Sequence, residues 1–182
     1  SFVRPDHEIS LDILADLRPL IPHVMELLSD AEYGAKDPYH VSRLQRMLAE
    51  IQQMRGQLQT AEQSSEIAER LARRVAELSG QRHLQNLNDI LCTRAQVLEA
   101  CGRLSEALNV ARDGLGLSEV LCSGEPGNLA YQREKGIAFN NVGRVLENQG
   151  DQRGAQEKFE ASLAIREVLC SGEPGNLAYQ RD

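Results

Sequence analysis

The residues able to do chemistry in this chain are few and scattered. Four histidines, His7, His23, His40 and His83, stand at unrelated spacings, and no two share a helix turn where they could hold a metal or relay a proton. Four cysteines, Cys92, Cys101, Cys122 and Cys170, form no CxxC pair and have no histidine at a zinc-binding distance in sequence. No serine lies in a nucleophile elbow. Gly114-Leu115-Gly116 has two glycines of a dinucleotide loop but lacks the third, and it falls inside a helical stretch instead of after a strand. Close helix packing is the expectation there, with a local irregularity from two mid-helix glycines. The chemistry that remains is recognition by amides, carboxylates and a guanidinium. One stretch carries Asn140, Asn141, Arg144, Glu147 and Asn148, and an earlier one carries Asp89, Cys92, Thr93, Gln96 and Glu99. No catalytic residue, cofactor or metal is expected.

The elements that must position these residues are set by a repeat. Residues 119–133 and 167–181 both read EVLCSGEPGNLAYQR, at an offset of 48. A fixed offset of that size marks a stacked repeat, in which each unit buries its apolar face against its neighbours. The same offset aligns 88–118 with 136–166, where six pairs are identical: Val97/Val145, Leu98/Leu146, Glu99/Glu147, Gly102/Gly150, Ala107/Ala155 and Leu115/Leu163. Phe139, Val142, Val145 and Leu146 recur at helical spacing, as do Leu91, Ala95 and Leu98. Gly102 and Gly150 close those stretches where a left-handed C-cap is needed. In Glu125-Pro126-Gly127-Asn128, proline presets φ and glycine permits a positive one, which predicts a type II turn with Asn128 capping the next helix near Leu129. Residues 173–176 repeat the motif. Helices are predicted over 129–149 and 152–170.

This pattern resembles the tetratricopeptide repeat. The second copy carries it in Phe139, Val142, Gly143, Leu146, Gly150, Asp151, Ala155, Phe159 and Ser162, an alternation of large and small residues across a helix–turn–helix. The first copy departs from it: Arg94 stands where Val142 does, Ala95 replaces Gly143 and Ala111 replaces Phe159. The resemblance covers 88–182, and its period is longer than the usual 34 residues, similar to long-period arrays of bacterial proteins. It implies an all-α, right-handed solenoid of antiparallel helical hairpins. It also implies that the polar face of each first helix lines a concave groove, with Asn140, Asn141, Arg144, Glu147, Asn148, Thr93, Gln96 and Glu99 facing a bound peptide or partner protein. Cys92 and Thr93 stand where the family's carboxylate-clamp subgroup needs a basic residue beside asparagine, which speaks against binding of a chaperone tail.

Upstream, Asp37-Pro38 reads as an N-cap followed by proline at the first helical position. Val41, Leu44, Leu48, Ile51 and Leu58 make an apolar stripe interrupted by Gly56. Thr60-Ala61-Glu62-Gln63 reads as a capping box for a helix over 61–79, with Ile67, Leu71, Val75 and Leu78 inward and Gly80 as its stop. A degenerate hairpin over 37–87, ending in the start of the next helix, is one reading; a single coiled-coil helix over 38–79 is the other. Glu66–Arg70 and Glu69–Arg73 are i, i+4 pairs expected on a solvated face. Residues 1–36, with Pro19 and Pro22 interrupting the stripe from Leu14 to Leu28, are expected to form a helical cap. Repeats are thus assigned to 88–135 and 136–182, the latter ending in the truncated start of a further repeat.

Composition narrows the partners. Hydrophobic residues make up 41% of the 182, aromatics 4%, and tryptophan is absent, which suits helices packed through Leu, Ala, Val and Ile. A net charge of −7 opposes nucleic-acid binding, which needs a basic face. No apolar run reaches the roughly 18 residues of a membrane span. Read as buried small hydrophobes, the cysteines favour the reducing cytoplasm. The expected function is a protein-interaction scaffold. Its alternatives are self-association, including homo-oligomers through an exposed C-terminal end of the array, and a regulatory arm of a larger signalling protein.

Overall fold

The computed structural model describes residues 37–79 and 83–172. The expectations for the cap at 1–36, the stop at Gly80, the linker at 173–176 and the start of a further repeat lie outside the described residues. Among these residues all regular structure is α-helical and there is no strand, as the periodicity requires. The helices are α1 (Pro38–Met54), α2 (Leu58–Ser79), α3 (Leu84–Ala100), α4 (Leu104–Gly124), α5 (Leu129–Asn148) and α6 (Gln152–Gly172).

Local chemistry starts and stops them. Asp37 caps α1 by accepting from the His40 amide at 3.1 Å, with Pro38 at the first helical position. Hydrogen bonds from the His40 amide and ring hold the Asp37 carboxyl below its usual range. Asn128 caps α5, its Oδ1 accepting from Ala130 N at 3.1 Å and Tyr131 N at 3.3 Å. Asp151 does the same for α6 through Gly154 N at 2.9 Å. Gly56, Gly102 and Gly150 hold φ of 72°, 76° and 87°. After each, an amide reaches back five residues at 2.9 Å: Gln57 to Gln52, Arg103 to Leu98 and Asp151 to Leu146. This is the paired hydrogen-bonding of a Schellman cap, which needs a residue without Cβ strain in the left-handed region. The break at Gly56 removes the single coiled-coil helix as a reading of 38–79.

These three turns put the helices in one register, at offsets of 46 and then 48. Ala49, Ala95 and Gly143 coincide, as do Ala61, Ala107 and Ala155; Ala68, Gly114 and Ser162; and Val75, Leu121 and Leu169. All twelve are buried. The first hairpin is therefore a third unit, invisible at an offset of 48 because the stretch from Val75 to Ala95 is two residues shorter than that from Leu121 to Gly143. Each helix packs on the next, and the first helices also meet: α1 touches α3, and α3 touches α5.

Three hydrophobic clusters run through the stack. Ala49, Ala61 and Val97 join α1, α2 and α3. Ala68 and Ala72 meet Leu87, Ile90 and Leu91 between α2 and α3, with Leu117 of α4 alongside. The third cluster joins Ala95 and Leu98 to Ala107, Leu108 and Ala111, to Val142, Val145 and Leu146, and to Ala155. Small residues at the crossings let the helices approach. An added Cβ on Gly143 would stand 2.6 Å from Cε1 of Phe159, so the ring occupies the space that glycine leaves.

Four local expectations are corrected. The buried stripe of α2 is Ala61, Ser64, Ser65, Ala68, Ala72 and Val75. Ile67 and Leu71 flank it and Leu78 is exposed, because the close crossing admits small side chains only. Helix α2 begins at Leu58, and the Thr60 hydroxyl donates to Gln57 O at 3.0 Å instead of capping. The 125–128 turn closes through Asn128 N to Glu125 O at 3.0 Å, but Gly127 stays outside the left-handed region, so it is not type II. Helix α4 runs unbroken through Gly114 and Gly116. Gly114 lies against Leu91 and Asn88, as close packing predicts.

One polar seam crosses this core. Arg94 of α3, 11% exposed, pairs with Glu69 of α2, 16% exposed, at 2.5 Å. Glu69 also accepts from Arg73 at 2.9 Å, and Arg73 pairs with Asp113 of α4 at 2.8 Å. The expected Glu69–Arg73 pair thus forms, but Glu69 lies between helices and not on a solvated face.

Candidate groove on the first helices

The candidate recognition residues all lie on α3 and α5, and the side-by-side contact of the first helices decides which of them remain available. Asn141 and Thr93, expected to face a groove, are buried at 4% and 5% exposure. Thr93 Oγ1 donates to Glu50 Oε1 of α1 at 3.0 Å, and that carboxylate also takes Arg46 at 2.5 Å. Asn141 lies against the Cys92 thiol of α3. Both residues occupy one position of the repeat, which faces the preceding first helix. They are seam residues.

Glu99 gathers three predicted residues into one constellation. It accepts from the Arg144 guanidinium and, through Oε1, from Asn148 Nδ2 at 2.8 Å. Arg144 is therefore neutralised from within the chain, which weakens its expected role as a clamp for a carboxylate. Gln96 is half-buried, and its carbonyl accepts from Gln53 Nε2 of α1 at 3.4 Å. Asn140 is half-buried and Glu147 exposed.

A second constellation was not foreseen. Asp89 of α3 borders a polar cavity of about 250 Å³ lined also by Tyr39, Arg43, Arg46, His83 and Asn86. Burial, then the Glu134 carboxylate, raise the Asp89 carboxyl to about 6; Glu50 adds to this, while Arg46 and Arg43 oppose it. Glu134 of α5 is itself anchored on α3, by Gln85 Nε2 at 2.8 Å and Asn88 Nδ2 at 3.4 Å. Burial, then Asp89, likewise push the Cys92 thiol up to about 11. The signal that could have found this cluster is the 46-residue offset, which places Arg43 and Arg46 at the repeat positions of Asp89 and Cys92.

None of the four cysteines is in a disulfide, so Cys122 and Cys170 are not joined. Among the described residues no His, Cys, Asp and Glu group could hold a metal, and no helix is long and apolar enough to cross a membrane. Comparison with family models, curated proteins and solved structures returns no match to this chain.

Proposed function

We propose that this chain is a tetratricopeptide-like solenoid that binds a peptide or partner protein along the face of α1, α3 and α5. The observation that carries the reading is the contact of the three first helices, α1 with α3 and α3 with α5, while the second helices supply the intervening core. Helices stacked in one register and joined by the same Gly turn form a continuous surface to which each unit contributes corresponding positions. On that surface Gln96 and Asn140 offer donors and acceptors to an extended backbone. The Glu99–Arg144–Asn148 group stiffens its far side and presents paired charge. The groove is consequently a polar, pre-organised strip, not a cationic clamp. In this reading Arg144 positions Glu99 and Asn148, and Asn140 touches the ligand.

The test selects binders from a random peptide library displayed against the full chain, then measures their affinity for Asn140→Ala and Gln96→Ala variants. At least a tenfold loss for the pair is expected, the scale of one or two lost hydrogen bonds to a buried partner. Selected peptides that bind the double variant as tightly as the parent would sink the groove.

A further inference from the structure

One charge of each sign stands without a partner in the cavity between α1 and α3. Tyr39, Arg43 and Arg46 line it from α1, Asn86 and Asp89 from α3, and His83 from the start of α3. Arg46 pairs with Glu50 at 2.5 Å. Arg43 has no carboxylate partner among the described residues; its guanidinium lies over the Tyr39 ring, 5.7 Å from the centroid. Asp89 has no side-chain hydrogen bond or ion pair among the described residues. Burial acts on its carboxyl, then the more distant charges of Glu134, Arg46, Glu50 and Arg43. Arg43 and Asp89 hold one repeat position at the offset of 46, so their backbones stand one helix spacing apart, about 8–10 Å. Opposite charges thus face one gap from two helices. Its volume of about 250 Å³ falls below the roughly 300 Å³ at which pockets for drug-sized molecules begin. Whatever fills it is small.

We propose that this cavity binds a free α-amino acid, its carboxylate on Arg43 and its ammonium on Asp89. The guanidinium fork donates to both carboxylate oxygens at once. The ammonium has three donors to place, and Asn86 supplies an acceptor besides Asp89. Asn86 donates its Nδ2 to Ser42 Oγ at 3.2 Å, which ties the amide across α3 and α1 and leaves Oδ1 as that acceptor. Tyr39 and His83, with ring centroids 4.5 Å apart, form the aromatic part of the wall. A ligand of single sign suits one end only: an anion is opposed by Asp89 and a cation by Arg43. A zwitterion suits both. The site lies two turns before Gln96 on α3, about 10 Å away, and does not depend on the groove, so either can fail without the other.

The probes are the common free α-amino acids, each titrated into the isotope-labelled full chain and followed by nuclear magnetic resonance. At least one should saturate, moving the side-chain amide signals of Asn86. For that amino acid, amidating the carboxylate or acetylating the amine should each weaken binding by about tenfold or more, as expected for a lost charged contact. Arg43→Gln should weaken the parent ligand to the level of its amide and leave the amide itself unaffected. Asp89→Asn should do the same with respect to the acetylated form. Asn140→Ala, in the groove, should change nothing. The two ligand derivatives probe the unaltered chain, so the test stands even if a variant fails to fold. No saturable binding by any amino acid overturns the proposal, as when Arg43 and Asp89 simply close on each other. An acetylated ligand that binds as tightly as the parent would make this an anion site, and equally defeat it.

Discussion

The junction of α2 with α3 and the junction of α4 with α5 solve one packing problem with opposite chemistry. At the first, Arg94 meets Glu69; at the same positions of the second stand Val142 and Leu115. The backbone register is shared, as are the small residues at the crossings. The second helices show the same freedom in size. Gly143 faces the ring of Phe159, whereas the corresponding pair one unit earlier is Ala95 with Ala111. What the units share is the register and the small residues at the crossings, not the polarity or the size of each facing pair.

The largest effect should come from splitting the ion pair. Arg94→Val alone leaves Glu69 partly buried between helices with only Arg73 to pair, and should cost about 3 kcal/mol in urea unfolding. Combining it with Glu69→Leu transplants the chemistry of the other junction, and most of that loss should return. A double variant as unstable as the single one would mean that the two junctions are not equivalent.

The next comparison concerns Asp89, whose repeat partner on α5 is Ile137. Its folded pKa is raised from 3.8 to about 6, so the folded chain holds a proton there that the unfolded chain has released. That group's contribution to stability therefore falls as pH rises from about 4 to 6 and is level above. Asp89→Asn should stabilise the chain at pH 7.5 by about 1–2 kcal/mol, allowing for the solvent that still reaches the carboxylate. The gain should shrink towards pH 5. Urea midpoints at the two pH values measure it, and an equal gain at both would remove the titration as its cause.

Smaller effects test the volume argument. Gly143→Ala should destabilise by about 1–2 kcal/mol through overpacking against Phe159. In the Phe159→Ala background, which reproduces the Ala95/Ala111 pairing, the same change should be nearly neutral, and a double-mutant cycle reads the difference. The smallest effect belongs to Gly116, exposed in mid-helix with nothing near a would-be Cβ. Gly116→Ala should raise stability by up to about 1 kcal/mol. A loss there would expose a strain in α4 that its unbroken hydrogen bonding conceals.

Much of the fold was legible because it rests on short-range signals. Asp37-Pro38, Asn128 and the glycines at 102 and 150 act within one helical turn, and each does what its chemistry implies. The third unit was less legible. Gly56 and Ala61 carry its register, but the two residues fewer between Val75 and Ala95 than between Leu121 and Gly143 hide them from a search at a single offset. The inward face of α2 was misread for a different reason: periodicity marks large apolar residues, while a close crossing selects Ala and Ser. Of the candidate site, Asn140, Glu147 and Gln96 kept some exposure. Thr93, Asn141 and Arg144 did not keep their expected freedom, since each meets a residue 43 to 49 positions earlier in the chain.

By itself, then, the sequence determined helical hairpins, the caps at Asp37 and Asn128 and the glycine stops at 102 and 150, all of which depend on interactions within a few residues. Tertiary structure alone decided which polar groups are free. Glu99 neutralises Arg144, Glu50 takes Thr93, and Asp89 is crowded by Glu134 only because the first helices lie side by side. Those contacts join residues 43 to 45 positions apart, and no local pattern encodes them. The same contact that builds the face withdraws half of its expected residues from use.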